Sequence, residues 1–109
     1  MFGATIMRTP EFYEKKAIKE FLDELGPDRC SYFCPFMAGY GKAGIGDIVA
    51  CIVGTYWNIE VKRPGKEPTV IQERRAAEIR RAGGRSVAGT AEVVIQVLRD
   101  WLSVRGIVA

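Results

Sequence analysis

The sequence predicts a mixed α/β domain built on one sheet, with elements in the order helix, three strands, helix, strand, helix. Three observations predict it. Residues recur at helical spacing in segments 10–25, 70–82 and 90–102. Short runs rich in β-branched and aromatic residues occupy 30–37, 47–53 and 56–62, and "RSVAG" at 85–89 reads as a fourth short strand. Glycine and proline punctuate the junctions, with no repeat, low-complexity tract or linker, so residues 1–109 are read as a single domain.

Pro10 opens the first helix, and Ile18, Phe21, Leu22 and Leu25 form its apolar stripe until Gly26-Pro27 stops it. Glu11 and Glu14 lie on or near that stripe. The aromatic run "CSYFCPFM" is a strand in which Pro35 marks an edge or a bulge. "DIVACIV" and "YWNIEVK" form a hairpin, with Gly54-Thr55 suited to a two-residue type II′ turn. Pro64-Gly65 breaks the chain before a basic helix from Val70 to Ala82, which Gly83-Gly84 terminates. Val93, Val94, Val97, Leu98 and Trp101 give the last helix its apolar face. Trp57 and Trp101 both fall on apolar sides and are assigned to the core.

Composition narrows the chemistry. Hydrophobic residues make up 48% of the chain and charged residues 27%, a globular balance without a long apolar run or a basic-then-apolar leader, which points to a soluble cytoplasmic protein with no membrane contact. Cys30, Cys34 and Cys51 fit neither a disulfide framework nor a paired metal-binding motif, and are read as buried reduced thiols. The absence of histidine rules out Ser-His and Cys-His catalysis, so hydrolysis would rest on metal, lysine or carboxylate. Net charge is +3, but Lys62, Arg63, Lys66, Arg74, Arg75, Arg80, Arg81 and Arg85 face only Glu67, Glu73 and Glu78 in their stretch. Such a cluster can neutralise nucleic-acid phosphates; a solvated helix face is the alternative.

Charge also enters the hairpin. Side chains alternate along a strand, so Asn58, Glu60 and Lys62 share one face and Trp57, Ile59 and Val61 the other. With Gly54-Thr55 as the turn, Asp47 stands opposite Lys62 and Val49 opposite Glu60, which gathers Asp47, Glu60 and Lys62 on one side. Two carboxylates on rigid strands suit a hard cation such as Mg²⁺ or Mn²⁺, which can activate water and stabilise charge on a phosphate. Lys62 is placed to orient or deprotonate that water or to steady the phosphate. The alternative is an Asp47–Lys62 ion pair with Glu60 solvated. Thr69-x-x-Gln72 also forms a capping box, so Gln72 has a structural reading beside any role at the site. "GYGKAG" at 39–44 precedes a strand and is no dinucleotide loop; it is read either as a loop from which Tyr40 and Lys42 touch DNA or as a plain connector.

"GIGDIVACIV", "WNIEVKRPGKEPTVIQERRAAEIRRAGG" and the glutamate-bearing first helix resemble the VRR-NUC branch of the PD-(D/E)xK nuclease superfamily, from about Glu14 to near Val94. The specific features are Glu-x-Lys followed by Pro-Gly-Lys, a glutamine ten residues beyond the lysine, and a helix ending in Gly-Gly. The resemblance implies a restriction-endonuclease-like core, with Asp47, Glu60 and the Val61 carbonyl as ligands of Mg²⁺ or Mn²⁺. It implies Lys62 as the catalytic lysine, Gln72 facing the site, and Glu14, or alternatively Glu11, as the first-helix acid. The implied substrate is DNA, especially branched or Holliday-junction-like DNA. Stand-alone relatives of phage or bacterial type resemble junction resolvases, which implies a homodimer presenting two sites. From the glycine-rich loop and the basic stretch, Lys42, Arg63, Lys66, Arg74 and Arg75 are the expected DNA contacts. One departure is visible: Gly46 replaces the proline that usually precedes the aspartate, and turns the chain with less rigidity. The rival readings are a non-catalytic nucleic-acid-binding module and an acid-rich protein-interaction domain.

Overall fold

The computed structural model describes residues 8–36 and 44–109. Their elements are α1 (Pro10–Leu25), β1 (Cys30–Phe33), β2 (Ile48–Ile52), β3 (Thr55–Val61), α2 (Val70–Arg81), β4 (Arg85–Gly89) and α3 (Ala91–Val104), in the predicted order. Each helix starts at a threonine whose hydroxyl accepts from a backbone N–H of the first turn: Thr9 from Phe12, Thr69 from Gln72 and Thr90 from Val93. At the end of α2, Gly83 takes φ 96° while its N–H donates to the Arg80 carbonyl and that of Gly84 to Ile79, a Schellman closure.

The sheet has the order β1-β2-β3-β4. The first three strands form an antiparallel meander, and β4 joins β3 in parallel after the α2 crossover. One face carries the core, where Ile18, Leu22, Ile48, Ile59, Leu98 and Leu102 are sealed between the sheet, α1 and α3. Trp57 and Trp101 meet edge to face at 5.4 Å within it, as expected. The other face, with Asn58, Glu60, Ser86 and Ala88, lies under α2.

Three expectations are corrected. The hairpin turn is Val53-Gly54, not Gly54-Thr55: Ile52 pairs with Thr55, and both turn residues take positive φ, 48° and 81°. A β-branched residue is disfavoured there, but the Val53 N–H donates to the Arg29 carbonyl, which prolongs the β1–β2 pairing and fixes the register. Val49 therefore faces Asn58, and Asp47, one step beyond the Ile48–Ile59 pair, falls opposite Glu60 and not Lys62. The slide is two residues, so every side chain stays on its predicted face. The first strand stops at Phe33, short of Pro35, which has no N–H to give the ladder. Of the three free cysteines, Cys30 is buried but Cys34 and Cys51 are exposed, Cys34 past the strand end and Cys51 on the half of the sheet that α2 leaves uncovered.

Candidate functional site at the end of β3

Glu60 is 7% exposed and Asn58 2%, the two buried polar side chains among the described residues. Alternation turns both away from the core, and the parallel β3–β4 ladder with α2 above closes over them. Both polar atoms of Asn58 are engaged. Its Oδ1 accepts from the Gly46 N–H at 2.7 Å, and its Nδ2 donates to Ser86 Oγ at 3.1 Å, tying the approach to Asp47 to both β3 and β4. A Cβ on Gly46 would stand 2.6 Å from the Ile59 carbonyl oxygen. The glycine is thus demanded by close packing, and its N–H is a donor that proline lacks. Rigidity at this turn comes from the Asn58 bond.

Gln72 both caps α2 and reaches Glu60. Its Oε1 accepts from the Thr69 N–H at 2.9 Å, completing the capping box, while its Nε2 donates to Glu60 Oε1 at 2.8 Å. The second carboxylate oxygen, Glu60 Oε2, is buried without a hydrogen-bond partner. Burial is the main force raising the Glu60 pKa to about 8, and the neighbouring Asp47 carboxylate adds to it. Lys62 pulls in the opposite direction, so its charge reaches the same point; the Glu11 charge pushes upward. A proton shared with Asp47 would give Oε2 its missing partner. Asp47 is itself anchored, with Oδ2 accepting from the Val61 N–H at 2.8 Å. Asp47, Glu60, Val61, Lys62 and Gln72 are therefore gathered at the C-terminal end of β3. The alternative of an Asp47–Lys62 ion pair with solvated Glu60 does not hold: Glu60 is buried, and the ion pairs among the described residues are Lys16–Glu20 and Arg75–Glu78.

The first-helix acids diverge. Glu14 Oε1 accepts from the Ala91 N–H at 2.7 Å, binding α1 to the first turn of α3, whereas Glu11 is the acid whose charge is felt at Glu60. No group of three or more His, Cys, Asp or Glu able to hold a metal ion occurs among the described residues. Two adjacent carboxylates, one with an orphaned buried oxygen, nevertheless match the oxygen donor set of Mg²⁺ or Mn²⁺, ions that keep several waters and take only one or two carboxylates from a protein. Arg63 and Lys66 in the turn after β3 and Arg74 on α2 are exposed, and Arg75 is half-buried with its guanidinium 3.4 Å from Glu78. Lys42 and Tyr40 lie outside the described residues. Sequence reasoning placed Asn58 on the right face but gave it no task; the signal was a second polar residue, two positions before Glu60, on a strand otherwise built for burial.

No family model matches the sequence, and no curated protein matches it. Among solved structures, one described as a VRR_NUC domain superposes with a TM-score of 0.69 at 24% identity, covering 84% of this chain and 96% of that one. The fold is that of a VRR-NUC domain, as the sequence resemblance implied. No helix among the described residues is long and apolar enough to cross a membrane.

Proposed function

We propose that the chain is a VRR-NUC-type nuclease that hydrolyses DNA phosphodiester bonds with Mg²⁺ or Mn²⁺ held by Asp47 and Glu60. The observation that carries this reading is the buried Glu60 Oε2, without a partner and beside a second carboxylate. Ionising both carboxylates there costs stability, which is why Glu60 holds its proton up to about pH 8, and a bound cation would offset that cost in place of the proton.

The residues divide the work. Gln72 grips Oε1 and thereby aims Oε2, while the capping box holds the glutamine in place. The Val61 N–H fixes Asp47, and the Val61 carbonyl is the third oxygen offered. Bound there, a divalent ion would lower the pKa of a coordinated water and offset charge on the phosphate under attack. Lys62 orients or deprotonates the attacking water, or steadies the phosphate charge, a task open to an ammonium whose field already reaches Glu60. Glu11 takes the place of first-helix acid and Glu14 that of a tether to α3. Arg63, Lys66, Arg74 and Arg75 lead the DNA to the site, joined by Lys42. The substrate is branched, junction-like DNA and the working form a homodimer, both supported by the resemblance to junction-resolving relatives.

Cleavage of branched and linear duplexes in Mg²⁺ or Mn²⁺ tests the reading. Lys62→Ala and Asp47→Asn should each lower the rate on the order of a thousandfold, the several kcal/mol that charge stabilisation supplies, and leave DNA binding intact. Undiminished cleavage in both variants would remove this site. Salt-sensitive binding without cleavage, indifferent to EDTA, would make the chain a non-catalytic binding module.

A further inference from the structure

The outer flank of α1 carries a group of residues that neither the core nor the carboxylate site uses. Phe12, Lys15, Lys16 and Lys19 line a shallow hollow of about 190 Å³ on the helix surface. Phe12 is 38% exposed and Tyr13 57%, with the rings edge to face at 5.3 Å. The Arg8 guanidinium lies over the Phe12 ring at 4.3 Å and brings a fourth positive charge. Lys16 is paired with Glu20 at 2.8 Å, but Lys15 and Lys19 have no ion-pair partner among the described residues. A merely solvated helix face needs no aromatic ring between its lysines. Basic side chains interleaved with a partly exposed ring are the parts of a surface that tracks a nucleic-acid backbone and stacks its bases.

Position supports the same partner. Glu14, two residues after Phe12, accepts from the Ala91 N–H, and Ala91 follows closely on Gly89, the partner of Val61, so the start of α1 lies at the carboxylate end of β3. Core helix α1 and helix α2 cover opposite faces of the sheet. The end of β3 therefore lies between two basic surfaces: one formed by Arg63, Lys66 and Arg74, the other by this flank of α1.

We propose that the Phe12–Lys15–Lys16–Lys19 flank of α1 is a second nucleic-acid contact surface, on which the lysines hold backbone phosphates and Phe12 stacks an unpaired base next to the cut. It rests on the nuclease reading above and extends it, by giving the chain a contact to DNA on the far side of the site. From Phe12 to Lys19 the helix rises about 10 Å, a length that follows two or three phosphates. A base stacking on Phe12 takes the place of the Arg8 guanidinium over the ring, and only bases freed from pairing can do so, so the surface favours single-stranded or splayed DNA over a closed duplex.

Fluorescence anisotropy with a labelled single strand and its matching duplex, titrated with salt in EDTA, tests this. Lys15→Ala/Lys19→Ala should reduce the slope of log affinity against log salt by about two, close to one per lost phosphate contact. Phe12→Ala should weaken single-strand binding about tenfold, leave the salt slope unchanged and affect the duplex less. All three positions are exposed or half-exposed helix sites, and unchanged thermal melting would show that the fold survives. Wild-type affinity and slope in all these variants, while Arg63→Ala/Lys66→Ala still weakens binding, would overturn the α1 surface and leave the nuclease reading standing. A wild-type chain that binds neither probe but cleaves no DNA would remove both.

Discussion

Along β3, Trp57, Ile59 and Val61 enter the apolar core under α1 and α3, while Asn58 and Glu60, set between them in sequence, are equally buried on the opposite face under α2. On the first face burial and stability agree, since each side chain leaves water for apolar neighbours. On the second they conflict. Asn58 is neutralised by two good hydrogen bonds, but Glu60 keeps one oxygen without a partner and a carboxylate neighbour. One strand thus holds a face where burial stabilises and a face where a buried carboxylate is strained, the kind of contrast found where side chains are placed for chemistry.

The contrast is broken most strongly by emptying the apolar face. Ile59→Ala should cost about 3–4 kcal/mol in urea unfolding, the penalty of a buried cavity, because Ile59 is fully enclosed. On the polar face, Asn58→Ala should cost less, about 2 kcal/mol, since it orphans the Gly46 N–H and frees Ser86. It should also weaken metal-dependent cleavage by loosening the approach to Asp47, a loss Ile59→Ala would show only through unfolding.

The pH dependence sharpens the comparison with a smaller effect. Glu60 titrates at about 8 in the folded chain against an ordinary 4.5, so across that interval the native state holds a proton that the unfolded chain has released. Stability of the metal-free protein should accordingly fall as pH rises from about 4.5 to 8, by at most about 1.4 kcal/mol per pH unit, and level off above. Glu60→Gln should flatten the profile and exceed wild type at high pH, as thermal melting in EDTA would show. Parallel profiles would mean that Glu60 is not strained.

Most of the fold was legible because its signals are local. The Thr69 capping box, the glycine stops and the apolar stripes each lie within a few residues of what they specify. The hairpin register slipped by two residues because a Gly-X pair suits a two-residue turn and so favours Gly54-Thr55, whereas the bond from Val53 to the distant Arg29 decides the case. Site residues stayed on their predicted face only because the slip was even. Glu11 and Glu14 could not be separated from sequence, since one helical stripe carries both and the docking of α3 against Glu14 is a tertiary event. The exchange of proline for Gly46 read as a loss until Asn58, twelve residues away, supplied the bond that holds the turn.

The central claim is that the polar face of β3 is arranged around a cation. Titration of the metal-free protein with Mn²⁺, followed by calorimetry in wild type, Asp47→Asn and Glu60→Gln, tests it most directly. Saturable binding in wild type that is lost in both variants, with each still folded, is the predicted result. Binding of equal strength in all three proteins would contradict it.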